Sequence, residues 1–237
     1  MSSFIDYSPM TIKAILFDLD NTLLDFSEMK HMAVNMAIRA MIDQGLDIDP
    51  KEAYDIIFKT YWEVGIESDN AFSEFLKRRF GQVDERILAA GINAYLRTKP
   101  SFLEPYPNVV PTLIKLIKKG LVIGILTDAP RLKGWQRLCA MRLQHFFDHV
   151  ITRDDSGAPK TGGLPFEYAL RRLQLDPGDV LFVGDSVLRD IKGAKAAGMI
   201  AALAKYGTKD SLDAIQAAKP DYILSDFTEI LQIIESE

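Results

Sequence analysis

Two acidic residues follow the first strongly apolar segment of the chain. Residues 12–17 are short, apolar and rich in strand formers, and the sequence DLDNT follows at residues 18–22. Carboxylates two positions apart at the end of a strand can point the same way. One of them could attack an electrophile while the other donates and accepts a proton, and the pair could also share a divalent cation. The alternative interpretation is that Asp18 and Asp20 only cap a turn.

A threonine and a lysine follow later apolar segments. Thr127 and Asp128 come directly after the apolar residues 121–126, and a threonine hydroxyl can donate to a phosphoryl oxygen. An N-cap for the following helix is the alternative role of this pair. Lys160 lies in a glycine-containing loop, where a cation could hold a phosphate and offset the carboxylates. Solvation alone is the alternative for this lysine, and the glycines beside it lack the spacing of a P-loop.

The last polar group follows another apolar strand. The sequence GDSVLRD occupies residues 184–190, directly after the apolar residues 180–183. Asp185 stands where a metal ligand could face the first acidic pair. Asp190, about one helical turn later, could hold Lys160 or a metal-bound water. The alternative is an N-cap aspartate followed by a surface acid.

The elements that carry these residues alternate along most of the chain. Strands are predicted at residues 12–17, 121–126, 149–152, 180–183, 200–204 and 222–224. Helices are predicted at about residues 108–119, 132–143, 165–173, 187–197 and 227–235. Strands that alternate with helices indicate a parallel sheet covered on both faces. In such sheets, sites lie beyond the carboxyl ends of the strands, where each of the four polar groups is placed.

A helical insertion separates the first strand from the rest of its sheet. Apolar residues recur at three- and four-residue steps from residue 28 onward, which predicts a helix that ends at Gly45. Further helices are predicted at about residues 51–64, 70–80 and 84–98. We therefore predict an α/β core domain made of residues 1–24 and 105–237, and a helical domain made of residues 25–104. The insertion is expected to stand over the site as a lid or cap.

The order of these motifs resembles the haloacid dehalogenase-like (HAD) hydrolase superfamily. The shared pattern is Asp-x-Asp-x-Thr, then a threonine after an apolar strand, then a lysine, and then Gly-Asp-x4-Asp. The resemblance covers nearly the whole chain and implies a Rossmann-like parallel core. The insertion is similar to the C1-type cap of that superfamily. Phosphoglycolate-phosphatase-like enzymes are favoured among its members.

The resemblance also implies a role for each residue. Asp18 is expected to be the nucleophile that forms an aspartyl-phosphate. Asp20 is expected to protonate the leaving oxygen, to activate water and to bind Mg²⁺ through its backbone carbonyl. Thr127 and Lys160 are expected to hold the transferring phosphoryl group.

Mg²⁺ is the expected cofactor, with Asp18 and Asp185 as its side-chain ligands and Asp190 in support. Asp128 is grouped with the phosphate-binding residues, although an acid is unexpected where family members often have Asn or Ser. The loop of Lys160 also departs from the family, since many members have a Lys-Pro step at this point.

These residues predict a Mg²⁺-dependent phosphatase that acts on a small phosphomonoester. Asp20 separates the chain from the dehalogenases of the same superfamily, because an alkoxide leaving group needs a proton and a halide does not. A phosphomutase or another phosphotransferase on the same core is the main alternative. A receiver-like, non-catalytic phosphoryl switch is a remote one, because Asp18 lies on the first strand and a second acid follows it.

Composition argues against several other classes of protein. The 237 residues include 28 Lys and Arg against 33 Asp and Glu, without a basic tract, so nucleic-acid binding is not expected. No apolar stretch is long enough for a membrane span, and the N-terminus lacks the pattern of a secretory signal. The single cysteine, Cys139, fits a reducing cytoplasm. The expected partner is a small phosphorylated metabolite, and the protein is expected to be a monomer or a homodimer.

Overall fold

The computed structural model describes residues 12–236, which divide into two compact units. One contains the described residues up to Asp25 together with those from Glu104 onward, and the other is Phe26–Leu103. We call them the α/β unit and the helical unit. Residues 1–11 and 237 of the predicted core domain lie outside the described residues, and the N-terminal segment considered for a secretory signal, residues 1–10, is among them.

The sheet of the α/β unit is parallel throughout. Its strands are β1 Ala14–Phe17, β2 Val122–Leu126, β3 His149–Ile151, β4 Val180–Gly184, β5 Ile200–Ala204 and β6 Tyr222–Leu224. Their order across the sheet is β3-β2-β1-β4-β5-β6. Short apolar strands that are buried on both faces suit such a sheet. Phe17 at the end of β1 pairs with Ile125 of β2 and Val183 of β4, so the carboxyl ends of these three strands lie side by side.

The helical unit has a core of its own. Its helices are α1 Phe26–Asp43, α2 Pro50–Val64, α3 Ala71–Phe80 and α4 Glu85–Thr98, and a 3₁₀ turn follows. Local signals set the helix ends. Asp49 caps α2 by accepting hydrogen bonds from the N–H groups of Lys51 and Glu52, and Gly81 ends α3 in the left-handed conformation. The apolar faces of these helices pack together inside the unit.

Seven α-helices lie in the described part of the α/β unit. They are α5 Val109–Lys118, α6 Arg131–Ala140, α7 Arg153–Ser156, α8 Leu164–Leu173, α9 Lys192–Ala196, α10 Leu212–Ala218 and α11 Ile230–Ser236. A π-helical turn at Val187–Ile191 leads into α9. The core includes the edge-to-face pair of Phe166 and Phe182, whose ring centroids are 5.1 Å apart. Across residues 12–236, no helix combines the length and the apolar character needed to cross a bilayer.

The predicted α/β class with a parallel sheet is confirmed. The strands predicted at residues 200–204 and 222–224 begin and end where expected. The helix predicted at residues 132–143 is shorter and ends at Ala140, because Arg142 adopts a left-handed conformation with φ of 59°. No prediction covers α7 and α10. The first has only four residues, and the second has Ile215 as its buried residue, so neither shows an extended apolar face.

Candidate active site

The loop after β1 carries Asp18 and Asp20. The Asp18 N–H donates to the carbonyl oxygen of Val183 at 2.8 Å, so Asp18 leaves the sheet directly at its carboxyl edge. Asn21 has φ of 59°, and its peptide lies against Gly207. A Cβ atom at position 207 would collide with the Asn21 carbonyl oxygen. Only glycine fits there, and this contact supports the turn that follows Asp20.

Asp18 belongs to a buried cluster of charged side chains. Its members, each at most 4% exposed, are Asp18, Lys160, Asp185 and Asp190. The Nζ atom of Lys160 lies 2.7 Å from Asp18 Oδ1 and 2.5 Å from Asp190 Oδ1. One oxygen from each of the three carboxylates lies within 4.8 Å of the others. Three carboxyl groups therefore face a single buried ammonium group, and we call this set the carboxylate–lysine cluster.

Backbone contacts hold the members of this cluster in place. Lys160 opens a 3₁₀ turn, and its N–H donates to Asp128 Oδ1 at 2.8 Å. Asp190 Oδ2 accepts a hydrogen bond from the Ser186 N–H at 2.9 Å. Gly184 makes room for Asp190, because a Cβ atom at position 184 would lie 2.5 Å from the Asp190 Cγ atom. The glycine of the Gly-Asp-x4-Asp motif is thus required by packing.

Burial dominates the titration of the cluster. Removal from water raises the pKa of Asp18 from 3.8 to about 7, although the Lys160 ammonium opposes this shift. Burial and the negative charges of Asp18 and Asp190 raise the pKa of Asp185 to about 8. Burial alone would lower the pKa of Lys160, but the two neighbouring carboxylates outweigh it and raise that pKa. The lysine therefore stays charged. Together with Arg189, which lies 3.7 Å from Asp185 Oδ1, it does not supply enough positive charge to offset the burial of Asp18 and Asp185.

Thr127 and Asp128 adjoin the cluster. The Lys160 Nζ atom lies 3.4 Å from the carbonyl oxygen of Leu126, and Asp128 holds the lysine backbone. Thr127 is buried, and its Oγ1 accepts a hydrogen bond from the Ala129 N–H at 3.2 Å. That bond leaves the hydroxyl hydrogen of Thr127 for another acceptor. The residues that follow β2 and the loop that carries Lys160 are therefore in direct contact.

Asp20, unlike Asp18, lies outside the carboxylate–lysine cluster. Its Oδ1 atom is 3.0 Å from Nε of Arg137 on α6, a residue that the sequence reasoning missed. The Arg137 side chain is 1% exposed, and that of Asp20 is 22% exposed. The buried positions of α6 are Gly134, Arg137 and Leu138. An arginine within a buried helical stripe is the signal that could have identified this residue, because arginine is almost never fully buried unless it is paired.

Comparison with known proteins identifies the class that this fold and site define. Residues 12–198 match the family of haloacid dehalogenase-like hydrolases, and the chain belongs to this family. The glyceraldehyde 3-phosphate phosphatase of Methanocaldococcus jannaschii is 36% identical over 225 residues, which cover 95% of this chain and 98% of that protein. A phosphoglycolate phosphatase of Nitrosospira multiformis is 28% identical, with 96% and 97% of the two chains covered.

A solved structure agrees with these relatives. The HAD phosphatase from Thermococcus onnurineus superimposes with a TM-score of 0.71 at 28% identity, and the match covers 95% of this chain and 99% of that one. The chain is therefore a phosphatase of the haloacid dehalogenase-like family, which makes it a phosphoric monoester hydrolase. The predicted family and the predicted class of enzyme are confirmed.

Proposed function

We propose that this protein is a Mg²⁺-dependent phosphatase that hydrolyses a small phosphomonoester through an aspartyl-phosphate on Asp18. The observation that carries the proposal is the carboxylate–lysine cluster, in which Asp18 lies 2.7 Å from the Lys160 ammonium and beside two further carboxylates. A carboxylate nucleophile can approach a phosphate dianion only where positive charge offsets the repulsion. The lysine supplies part of that charge, and a metal ion held by the carboxylates would supply the rest.

Asp18 and Asp20 divide the chemistry between them. In the first step, an Asp18 carboxylate oxygen attacks phosphorus and the ester P–O bond breaks. The leaving oxygen keeps the bonding electron pair and takes a proton from Asp20. In the second step, water gives a proton to the Asp20 carboxylate and its oxygen attacks phosphorus, while the bond between phosphorus and Asp18 breaks. Inorganic phosphate leaves, and both residues return to their starting states.

The carboxylate–lysine cluster fits a hard divalent cation. Its donors are carboxylate oxygens, the ligands that Mg²⁺ prefers in proteins. Asp185 Oδ1 is buried and accepts no hydrogen bond within the described part of the chain. We assign Asp18 and Asp185 as side-chain ligands and the Asp20 carbonyl as a further ligand, with Asp190 holding Lys160 beside them. When bound, the ion neutralises these carboxylates and polarises phosphoryl oxygens.

Thr127 and Lys160 are assigned to the phosphoryl group. The Lys160 ammonium lies 3.4 Å from the Leu126 carbonyl oxygen, a longer contact than those to Asp18 and Asp190, and a phosphoryl oxygen could replace it. Asp128 is assigned a supporting role, because its carboxylate holds the Lys160 backbone N–H. This contact accounts for an acid at a position where a negative side chain would otherwise repel phosphate.

We assign triose phosphates, and glyceraldehyde 3-phosphate first, as the substrate class. Support comes from relatives of that name, which are 33–37% identical to this chain. The groups assigned in the α/β unit bind only the phosphoryl part, which all phosphomonoesters share. We therefore assign substrate selectivity to the helical unit, which corresponds to the insertion predicted to be a cap.

The proposed enzyme needs only a small phosphorylated metabolite as its partner, and it works as a monomer or a homodimer. A reducing cytoplasm is its proposed location, and the free, exposed Cys139 supports this assignment. Light scattering on the purified protein measures its oligomeric state.

The test of the proposed function is phosphate release from a panel of phosphomonoesters. The panel contains glyceraldehyde 3-phosphate, phosphoglycolate, sugar phosphates and p-nitrophenyl phosphate, each with Mg²⁺ and with EDTA. We expect Mg²⁺-dependent release that is fastest for the triose phosphate and is lost in Asp18→Asn. No release from any ester by a folded protein would overturn the proposal. Phosphoryl transfer to an added sugar phosphate, rather than to water, would identify a phosphomutase.

A further inference from the structure

Arg137 is the largest of the fully buried side chains among residues 12–236, and it takes no part in the proposed chemistry. Burial of a guanidinium group costs several kcal/mol unless a partner compensates it. The other buried charged residues described in the α/β unit all belong to the carboxylate–lysine cluster. Arg137 instead lies against Asp20, with its Nε atom 3.0 Å from Asp20 Oδ1. A fifth buried charge thus contacts the residue assigned to proton transfer.

We infer that Arg137 is a positioning residue that fixes the carboxylate of Asp20 for proton transfer, an inference that rests on the proposed function. The Oδ1 atom of Asp20, which lies against Arg137, is buried, whereas the Asp20 side chain as a whole is 22% exposed. One oxygen is therefore anchored, and the carboxylate retains an open side. An anchored carboxylate samples fewer rotamers, so more of its population has the geometry that proton transfer requires.

The fold explains how a residue on α6 reaches Asp20. Asp20 follows β1 and α6 follows β2, and these two strands are paired in the sheet. Side chains on a helix tilt toward its N-terminus, so Arg137 points back from the body of α6 toward the carboxyl edge of the sheet. The buried stripe of α6 keeps the guanidinium away from water, which limits the motion of the group that anchors Asp20.

The test separates proton transfer from other effects by changing the leaving group. An alkoxide needs a proton from Asp20, whereas p-nitrophenolate leaves without one. The parameter is kcat/KM, which reports the steps up to the departure of the leaving group. We expect Arg137→Met to lower kcat/KM for the best alkyl phosphate of the panel by about 100-fold, and for p-nitrophenyl phosphate by less than about threefold. The Mg²⁺ concentration that gives half-maximal activity should not change.

Two further variants keep the test decisive. Arg137→Lys retains the charge but not the planar fork, and it should show a smaller loss with the same dependence on the leaving group. If Arg137→Met does not fold, Arg137→Lys alone decides the question. Arg171→Met, at an arginine of α8 whose side chain is 68% exposed, is the matched control and should behave like the wild type.

A double-mutant cycle completes the experiment. In an Asp20→Asn background, Arg137→Met should cost no further activity on the alkyl phosphate, because no acid is left to position. Equal losses on both esters, an additive loss in the Asp20→Asn background, or wild-type rates in both Arg137 variants would each overturn the inference alone. Absence of release by the wild-type protein would overturn the proposed function and this inference together.

Discussion

The two compact units bury charge in different ways. The α/β unit buries five charged side chains, namely Asp18, Arg137, Lys160, Asp185 and Asp190. Within the helical unit, all of whose residues are described, Lys30 is the buried charged residue. Its ammonium group lies 3.7 Å from the centroid of the Tyr61 ring and 3.1 Å from the Tyr95 hydroxyl oxygen. One interior is thus rich in carboxylates, and the other places an ammonium group among aromatic rings.

This difference indicates that the buried charges of the α/β unit suit a reaction, whereas the buried cation of the helical unit suits packing. Carboxylates and cations that meet at strand ends can attack, transfer protons and hold a metal ion. A cation over aromatic faces gains electrostatic attraction to the rings, which stabilises a helical core but supplies no nucleophile. Substitutions in the carboxylate–lysine cluster should therefore change reaction rates, whereas substitutions around Lys30 should change stability and selectivity.

The largest effect is expected from Asp18→Asn. The substitution keeps the shape of the side chain but removes the nucleophile, so we expect kcat to fall by at least about 1000-fold. Folding should be retained, because the charge of Lys160 is still compensated by Asp190, 2.5 Å away. Phosphate release and circular dichroism measure the two effects. Turnover within about tenfold of the wild type would contradict an aspartyl-phosphate mechanism.

Lys160→Met should produce the next largest effect. The variant leaves Asp18 and Asp190 buried without their ammonium partner, which should lower kcat/KM by about 100-fold and the free energy of unfolding by about 3 kcal/mol. Steady-state kinetics and urea unfolding measure these changes.

The control for this variant is Lys195→Met. Lys195 pairs with Asp221 at 2.8 Å near the surface, so its loss should cost less than about 1 kcal/mol and leave the kinetics unchanged. Equal effects of the two substitutions would show that the buried position of Lys160 has no special importance.

Much of the fold and the carboxylate–lysine cluster could be predicted because local patterns determine them. Short apolar runs form the strands, and parallel strands place the residues at their carboxyl ends along one edge, so Asp18 and Asp185 are expected to meet. The Asp20 contact with Arg137 could not be predicted, because Arg137 lies within α6 rather than at the carboxyl end of a strand, where the sequence pattern places polar side chains. The hydrogen bond from the Lys160 N–H to Asp128 could not be predicted either, because its donor is a backbone group, whose position the pattern of side chains does not indicate.

Asp185→Asn should change the pH dependence of stability. The pKa values of Asp18 and Asp185 are raised from 3.8 to about 7 and about 8. At pH values between about 4 and about 8, the folded protein therefore binds more protons than the unfolded chain. The stability of the metal-free protein should therefore fall as pH rises from about 4 to about 8. The variant loses one of these groups, so its stability should fall less over this range and exceed that of the wild type at about pH 8.5.

Thermal unfolding in EDTA and in excess MgCl₂ measures the stability of the protein without and with the metal ion. Mg²⁺ should stabilise the wild type more at about pH 8.5 than at about pH 5.5, because deprotonated carboxylates bind the ion. The Asp185→Asn variant should show a smaller Mg²⁺ effect. An unchanged Mg²⁺ effect in the variant would remove Asp185 from the ligand set.

Asp128→Ala should have a moderate effect. Loss of the acceptor for the Lys160 N–H frees the lysine loop, so kcat/KM should fall by about tenfold, which corresponds to a hydrogen bond worth about 1.4 kcal/mol. Asp128→Asn is the matched control, because its carbonyl oxygen can accept the same hydrogen bond, and it should stay within about threefold of the wild type. If both variants instead bind phosphate more tightly than the wild type, repulsion by the acid outweighs its hold on the loop.

The smallest rate effect is expected from Lys30→Met. A flexible apolar side chain can occupy the same space among the rings, but it loses the attraction of the ammonium group to Tyr61 and the contact with the Tyr95 hydroxyl. We expect the free energy of unfolding to fall by about 1 to 2 kcal/mol and kcat/KM for p-nitrophenyl phosphate to stay within about threefold. The ratio of kcat/KM for triose phosphate to kcat/KM for p-nitrophenyl phosphate should change more than kcat for either ester. A loss of about 100-fold on both esters in a stably folded variant would show that the helical unit supplies a reacting group, and the division between the two units would then fail.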